Sequence, residues 1–234
     1  VWEKSVELLW ERGILSWKES YKHGVPKVQI KECSMKMAVT SPLKEPRLHM
    51  EWGAAESLEE YSKDLMFGRR DHLIGKIYDY TYHERLFTYR RSEADASLNQ
   101  LDLIIKKLSE TPYSNRAQAV TWMVWKDTAQ GVGPPCLQRI WFKVVGGRLE
   151  MRADWRSRDA LWAAPSNMWA LIDMQRIVAE RLGVEVGNYV DSSDSYHIYV
   201  EDFKRVEGLV RLFKERRADE KPGWVNSQDP RFRR

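Results

Sequence analysis

Apolar and polar residues alternate most regularly near the centre of the second half of the chain. Residues 148–155 alternate strictly, which predicts a strand with one buried and one solvent-facing side. The buried side would carry Leu149, Met151, Ala153 and Trp155, and the other side Arg148, Glu150, Arg152 and Asp154. Residues 138–145 predict a preceding strand, and Gly146-Gly147 between the two is typical of a two-residue hairpin turn.

Helical periodicity recurs along the whole chain. It predicts helices over residues 1–12, about 57–67, from 97 onward, 167–182 and about 201–216. Ser97 and Gln100 have the spacing of a capping box at the start of the third helix. The fourth helix is mostly apolar, so we expect it to be the most buried, and Gly183 is expected to end it.

The other segments predict further strands and loops. Strands are expected at about 28–39, 117–125, 186–190 and 196–199, with a bulge or a break near Glu32-Cys33 in the first of them. Residues 41–53 predict a loop, and 74–92 form an irregular aromatic segment. This layout predicts an α+β fold, a mixed and mostly antiparallel sheet with helices packed on one side. We expect a single domain over residues 1–234 with an irregular tail at about 217–234.

The composition restricts the class of protein without identifying it. The 234 residues are 43% hydrophobic, which suffices for one sizeable core. The net charge of +4 suits an anionic small molecule about as well as a weak nucleic-acid partner. The sequence has no run of 18 apolar residues and no secretory signal pattern. Two cysteines, Cys33 and Cys136, are typical of a reducing compartment, so we expect a cytoplasmic protein without membrane partners.

Cys136 is the strongest candidate nucleophile. It follows Pro134-Pro135 and precedes a predicted strand, and such loop-to-strand junctions present side chains to clefts. The thiolate is the reactive form, and Arg156 would stabilise it if the hairpin folds back beside Cys136. The alternative is a structural cysteine, which is the commoner role for a lone cysteine, and we expect that role for Cys33.

Other polar groups have both a functional and an ordinary interpretation. Arg156-Ser157 offers paired donors and a hydroxyl to a phosphate, but it also suits a solvated strand end. Asn167 either reads the edge of a base or caps a helix, and His197 either relays a proton or is a buried, hydrogen-bonded histidine. The histidines and cysteines lack metal-ligand spacing, so no metal is predicted. The sequence also lacks a phosphate-binding glycine loop, a dinucleotide fingerprint and a Gly-x-Ser-x-Gly elbow.

The order and spacing of these residues resemble the thymidylate synthase family. The matching positions are Pro135-Cys136, Arg156-Ser157, Asp159, Asn167, His197 and Tyr199. Residues 112–116 are similar to the family's Pro-x-Ser-Arg-Arg loop, and 183–187 to its Leu-Glu-Val-Gly turn. Residues 78–86, with Tyr82 as the matching tyrosine, resemble the variant in archaeal members. The resemblance is firm over about 98–203 and loose before that.

The resemblance implies a reaction. Cys136 would attack carbon 6 of the pyrimidine of dUMP, and carbon 5 would then accept a one-carbon unit, giving dTMP. The donor would be 5,10-methylenetetrahydrofolate or a methanopterin analogue. The family builds each site across a homodimer formed through the sheet face, in which Arg116 would reach the phosphate site of the other subunit.

The resemblance also implies a role for each matching residue. The implied roles are phosphate binding by Arg156 and Ser157, a position near nucleotide and cofactor for Asp159, base pairing by Asn167, sugar contact by His197 and Tyr199, and a place in the catalytic set for Tyr82. A glutamate near residue 60 would move protons through water. Glu60 is the first choice, and Glu56 and Glu59 are the alternatives.

Several positions beside these residues depart from the family pattern. This chain has Leu137 where the family has a histidine, Trp155 for a glutamine, Ala163 for a glycine, Asn115 for the first arginine of a pair, and Ser195 for an aspartate. The family's early phosphate-binding arginine has no clear match, and Lys22 or Lys27 would substitute for it. They indicate a divergent, archaeal-like member, and they leave open the carrier and the final transfer step.

Two alternative functions follow from the same residues. One is a pyrimidine nucleotide hydroxymethylase acting on dUMP or dCMP, although Asn167 favours uracil, because related deoxycytidylate hydroxymethylases have aspartate there. The other is a non-catalytic nucleotide-binding or RNA-binding relative, suggested by the lack of the family's cofactor-closing residues and by a tail with Arg231, Arg233 and Arg234. Under the main hypothesis no nucleic-acid partner is expected.

Overall fold

A mixed six-stranded sheet lies at the centre of the fold in the computed structural model, which describes residues 1–20, 25–92, 94–129, 131 and 133–233. In spatial order its strands are β1 (Ile14–Glu19), β2 (Lys27–Val39), β7 (Glu185–Tyr199), β6 (Arg148–Asp159), β5 (Leu137–Val145) and β4 (Gln118–Val120). Strands β6 and β7 pair in parallel, and the other neighbours pair antiparallel. The predicted mixed, mostly antiparallel sheet is confirmed.

Seven α-helices accompany this sheet in the described part of the chain. They are α1 (Trp2–Arg12), α2 (Ala55–Phe67), α3 (Tyr82–Phe87), α4 (Gln100–Glu110), α5 (Val124–Asp127), α6 (Ala164–Leu182) and α7 (Phe203–Ala218). Helix α6 is the most buried, as its apolar sequence predicts, and it ends at Gly183, whose φ of 67° lies in the left-handed region that glycine tolerates. The α+β class is therefore confirmed.

The predicted alternation of β6 is matched by its burial. Leu149, Met151, Ala153 and Trp155 are at most 2% exposed and belong to the main core, together with residues of α1, α4 and α6. On the other face Arg148 and Arg152 are exposed. The bulge predicted in β2 is also present, as a register shift between Cys33 and Met35.

Some boundaries differ from the predictions. The segment 117–125 is strand only at β4, and its end turns into α5. The capping box is wrong: Asn99 caps α4 by accepting from the N–H groups of Leu101 and Asp102, both at 3.1 Å. The side chain of Gln100 instead donates to backbone carbonyls of α3 and β4, because it faces the interior. The two short strands predicted after 185 form one continuous strand, β7.

The C-terminal residues return to the loop that precedes α2. Strand β8 (Trp224–Val225) pairs antiparallel with β3 (Leu48–His49), inside the segment predicted as a loop. Arg233 forms ion pairs with Glu56 at 3.1 Å and Glu59 at 3.0 Å on α2. The part of the tail that the structure describes is therefore held against the body of the protein; Arg234 lies outside the described residues.

Within the described ranges, none of the helices combines the length and the apolar character that a membrane span requires.

Candidate active site

The sheet topology brings three sequence-distant motifs to one edge. Strands β6 and β7 are parallel, so their carboxyl ends meet, and Asp159 pairs with His197 in the register. Strand β5 runs antiparallel to β6, so its beginning meets the end of β6, and Leu137 pairs with Trp155. Cys136 stands directly before β5 and therefore lies beside these strand ends.

Cys136 and Arg156 are in direct contact. The Arg156 guanidinium lies with Nη2 3.8 Å from the Cys136 sulfur. Its Nε donates to the Pro135 carbonyl at 3.0 Å and its Nη2 to the Pro134 carbonyl at 2.7 Å. The rigid proline pair thus holds the Arg156 guanidinium, and its positive charge, against the thiol. The contact between Cys136 and Arg156 expected from the hairpin is present.

Ser157 and Asp159 occupy the end of β6. Ser157 is buried, at 5% exposure. The Asp159 carboxylate accepts from the N–H groups of Leu161 at 2.8 Å and Trp162 at 2.9 Å, which fixes the turn into α6. Burial raises the pKa of Asp159 above its ordinary value, although these two hydrogen bonds act in the opposite direction.

His197 and Tyr199 share a lysine that the sequence did not indicate. Lys18, on β1, has its ammonium 3.0 Å from Nε2 of His197 and donates to the Tyr199 hydroxyl at 3.0 Å. Burial, and then the charge of Lys18, lower the pKa of His197 to about 4. The imidazole is thus neutral, and we assign the proton to Nδ1, which lies 3.1 Å from the Ser195 carbonyl, so that Nε2 accepts from Lys18.

Because the pKa of His197 is about 4 in the folded protein and about 6.5 in the unfolded chain, acid should weaken the fold here. The unfolded chain binds the extra proton between these values, so the stabilising contribution is complete above pH 6.5 and is lost as the pH falls toward 4. We expect the free energy of unfolding of the wild type, relative to His197→Gln, to fall by about 2 kcal/mol between pH 7.5 and 4.5.

Urea unfolding of both proteins at the two pH values measures this difference, and groups that titrate equally in both proteins cancel. A difference between wild type and variant that does not change with pH would contradict a neutral, buried His197.

A cavity of about 440 Å³ opens beside Cys136. It is lined by residues of α2, of the aromatic segment and of the proline loop: Tyr61, Asp64, Leu65, Arg70, Ile77, Tyr78, Asp79, Tyr80, Thr81, Tyr82, His83, Gly133, Pro134 and Cys136. The aromatic segment, which showed no regular pattern, therefore forms much of one wall. Val132, within the predicted proline loop, lies outside the described residues.

Two tyrosines of this wall contact the backbone around Cys136. The Tyr82 hydroxyl accepts from the Leu137 N–H at 3.3 Å, and the Tyr80 ring lies 5.5 Å from that of Tyr82. Burial raises the pKa of Tyr80 to about 12, even though a hydrogen bond from the Cys136 backbone lowers it. Tyr82 was a predicted site residue, and Tyr80 was not. The many tyrosines in residues 74–92 are the sequence feature that could have indicated Tyr80.

Asn167 lies inside α6 and does not cap it. The residue before the helix is Ala163, and Asn167 donates its own backbone N–H to the Ala163 carbonyl at 3.0 Å. The Asn167 side chain is buried, and its Nδ2 donates to the Tyr61 hydroxyl at 2.7 Å. The capping interpretation is therefore wrong, and the side chain is directed toward α2, next to the cavity wall.

The three candidate glutamates are not among the residues that line this cavity. Glu60 has 46% of its side chain exposed and pairs with Lys63 and Arg69. Glu56 and Glu59 pair with Arg233, as described above. The structure thus does not bring Glu60 to Cys136, and the proton-transfer role of these glutamates stays a prediction.

Arg116 lies away from Cys136, in the loop before β4, and it is exposed.

Among the positions that depart from the family pattern, Asn115 accepts from Lys143 at 2.9 Å, and Trp155 packs its ring 6.0 Å from that of Tyr82. Of the two substitutes for the early arginine, Lys27 lies over the Trp17 ring at 4.5 Å, and Lys22 lies outside the described residues. The described residues contain no group of three or more metal-ligating side chains.

Comparison with known proteins agrees with the predicted resemblance. A profile of the thymidylate synthase family matches residues 3–223. A protein of Methanocaldococcus jannaschii named "Putative thymidylate synthase" is 38% identical over 159 residues, which cover 65% of this chain and 68% of that protein. A protein of the same name from Methanosarcina mazei is 31% identical over 212 residues, 90% of each chain. With nearly its whole length matched, the chain belongs to the thymidylate synthase family.

Proposed function

We propose that the protein transfers a one-carbon unit to carbon 5 of dUMP through a covalent adduct between Cys136 and carbon 6, giving dTMP. The observation that carries this proposal is the Cys136 sulfur held 3.8 Å from the Arg156 guanidinium beside a cavity of nucleoside-compatible size. A thiolate in that position is a soft nucleophile, and a pyrimidine ring in the cavity would present carbon 6 to it.

The first step is addition of the thiolate across the carbon 5–carbon 6 double bond. The sulfur forms a bond to carbon 6, the π electrons move toward carbon 4, and its oxygen takes up the negative charge. Carbon 5 thereby becomes nucleophilic and attacks the one-carbon unit. Elimination later removes the carbon 5 proton and expels the sulfur, which regenerates Cys136.

The nucleotide's phosphate is assigned to Arg156 and Ser157. Arg156 is already oriented by the Pro134 and Pro135 carbonyls, so its guanidinium is held in place before the phosphate arrives. Arg116 would complete this site from the other subunit of a homodimer formed through the sheet face. The exposure of Arg116 in the single chain supports that assignment.

The sugar and base are assigned to the neighbouring strand end and helix. Tyr199 would bind the deoxyribose hydroxyl directly, and His197 would act on it through Lys18, whose ammonium contacts both side chains. Asn167 would bind the uracil edge, because an amide presents both the acceptor and the donor that this edge requires. Asp159, in the turn that leads into α6, would lie near the nucleotide and the carrier.

The one-carbon donor is a reduced folate-type carrier, either 5,10-methylenetetrahydrofolate or a methanopterin analogue. The cavity suits such a molecule because four tyrosines are among its lining residues, and their rings suit the stacking of a flat heterocycle. The carrier supplies the one-carbon unit and the reducing equivalents that convert it to a methyl group.

Release of tritium from carbon 5 of labelled dUMP, with the methylene carrier present, tests the proposal. We expect release in proportion to dTMP formed and a covalent adduct at Cys136 with the 5-fluoro analogue, detected by intact mass. The absence of both the tritium release and the adduct would exclude the proposal. A hydroxymethyl product without oxidation of the carrier would instead identify a hydroxymethylase.

A further inference from the structure

We infer that Tyr61 is a catalytic residue: its hydroxyl donates to the carbon 4 oxygen of the uracil base, beside the amide of Asn167 that it orients. This inference rests on the proposed function and adds to it a group on α2 that differs in chemistry from the predicted glutamate. It also assigns to Tyr61 a part in the selection of uracil over cytosine.

The position of Tyr61 connects the nucleophile with the base-reading amide. Tyr61, Tyr82 and Cys136 line the same cavity. On its other side Tyr61 accepts the 2.7 Å hydrogen bond from Nδ2 of Asn167. Asn167 itself is not among the residues that line the cavity, so Tyr61 is the cavity-facing member of the pair.

The hydrogen bond from Asn167 uses the Tyr61 oxygen as an acceptor and leaves the Tyr61 hydroxyl able to donate. A phenol hydroxyl both accepts and donates, and here the oxygen is the acceptor toward Asn167. Its own proton is therefore available to an acceptor in the cavity. The Asn167 amide lies directly behind this hydroxyl, at hydrogen-bond distance.

Tyr61 remains protonated at the pH at which enzymes of this class work. Burial raises its pKa above the ordinary value for tyrosine, and the neighbouring Tyr80 adds to the effect. Tyr61 is thus a neutral donor, whereas a glutamate at this position would be an acceptor when ionised. Of the two carboxylates in the wall, Asp64 is paired with Arg70 at 2.6 Å, and Asp79 accepts from the Gly133 N–H at 2.9 Å.

A donor at this place stabilises the intermediate more than the substrate. When the Cys136 sulfur adds to carbon 6, the charge collects on the carbon 4 oxygen, and a hydrogen bond to that oxygen strengthens as it becomes an enolate. Preorganised donors aimed at developing charge contribute about 100-fold or more to rate. No proton needs to leave Tyr61 for this effect.

The same hydrogen bond explains a preference for uracil. While Nδ2 of Asn167 is bonded to Tyr61, the amide is fixed with its oxygen toward the ring N–H of uracil. Cytosine presents the reverse order, a ring acceptor and an amino donor, and would need the amide to rotate. Tyr61 opposes that rotation, so its hydroxyl contributes to base selection without any charge.

Tyr61→Phe tests both parts of the inference. We expect kcat/KM for dUMP to fall about 100-fold, mostly in kcat, because the lost interaction is strongest in the transition state. We also expect the ratio of dissociation constants of dCMP and dUMP to fall about tenfold, as the amide gains freedom to rotate. Calorimetric titration of each nucleotide into wild type and variant measures that ratio.

Tyr196→Phe is the matched control. Tyr196 is another buried phenol, hydrogen-bonded to Ser5 at 3.0 Å and outside the cavity lining. It should lose a similar amount of stability and keep the wild-type kcat and base preference. If Tyr61→Phe behaves like Tyr196→Phe in both readouts while the wild type releases tritium, the inference is overturned and the proposed function stands. Failure of the wild type to release tritium would overturn the proposed function, and this inference with it.

Discussion

Replacing Cys136 by alanine should lower tritium release from carbon 5 of dUMP by about 10⁴-fold or more, a loss of the size seen when a nucleophile is removed from an enzyme site. Without the sulfur, no bond forms at carbon 6, and carbon 5 keeps its low reactivity. The nucleotide should still bind, because Arg156, Ser157, Asn167 and His197 are all intact. The loss should therefore appear in kcat. Calorimetric titration should give the same dissociation constant for dUMP with the wild type and with the variant.

Cys33→Ala is the control for Cys136→Ala. Cys33 lies at the β2 bulge, half-buried, and burial raises the pKa of its thiol, so it is a poor nucleophile. This variant should retain the wild-type rate and form the adduct with the 5-fluoro analogue. Full turnover by Cys136→Ala, or an adduct mapped by peptide mass to Cys33, would contradict the assigned nucleophile.

The parts of the fold that the sequence revealed are those in which one face is fully buried. Residues 148–155 alternate because β6 has the core on one side and charged residues on the other. The two strands of the hairpin and the ends of α6 follow from the same kind of pattern together with glycine turns. The order of the motifs then predicted that Cys136, Arg156 and His197 belong to one site, although the sheet topology was not known.

Strand β1 had no such pattern, and with it Lys18 was missed. β1 is an edge strand, and its apolar residues Ile14, Leu15 and Trp17 are all at least 59% exposed. Burial does not select one face of this strand, so its sequence does not alternate. The contact of Lys18 with His197 and Tyr199 crosses β2 and depends on the strand order, which no local pattern encodes.

Helix α2 shows a different reason for a missed residue. Glu60 was the first choice because the family resemblance implies a glutamate near residue 60, and that resemblance is loose in this part of the chain. Leu58 and Leu65 are buried, and Tyr61 lies three residues after the first and four before the second, on the same face. Glu60 is turned about 100° away from Tyr61 on a helix. The periodicity of α2 would thus have indicated Tyr61 as the side chain that faces Asn167.

The ion pair between Arg158 and Asp191 should dominate the stability of the site region. Both side chains are at most 1% exposed, and Nη1 of Arg158 contacts the Asp191 carboxylate. Nη2 of Arg158 also donates at 2.9 Å to the carbonyl of Ala164, the first residue of α6. We expect Asp191→Asn to lower the free energy of unfolding by about 3 kcal/mol, because it leaves the buried guanidinium without a counter-charge. Urea unfolding at pH 7.5 measures the change.

Asp154→Asn makes the same chemical change at an exposed pair and is the control for Asp191→Asn. Asp154 contacts Arg139 at 2.7 Å, but 36% and 44% of their side chains are exposed, so the cost should be about 1 kcal/mol or less. Adding Arg158→Met to Asp191→Asn should recover part of the loss, since the unpaired charge is then gone. Equal costs for Asp191→Asn and Asp154→Asn would contradict this account, because burial is the property that separates the two pairs.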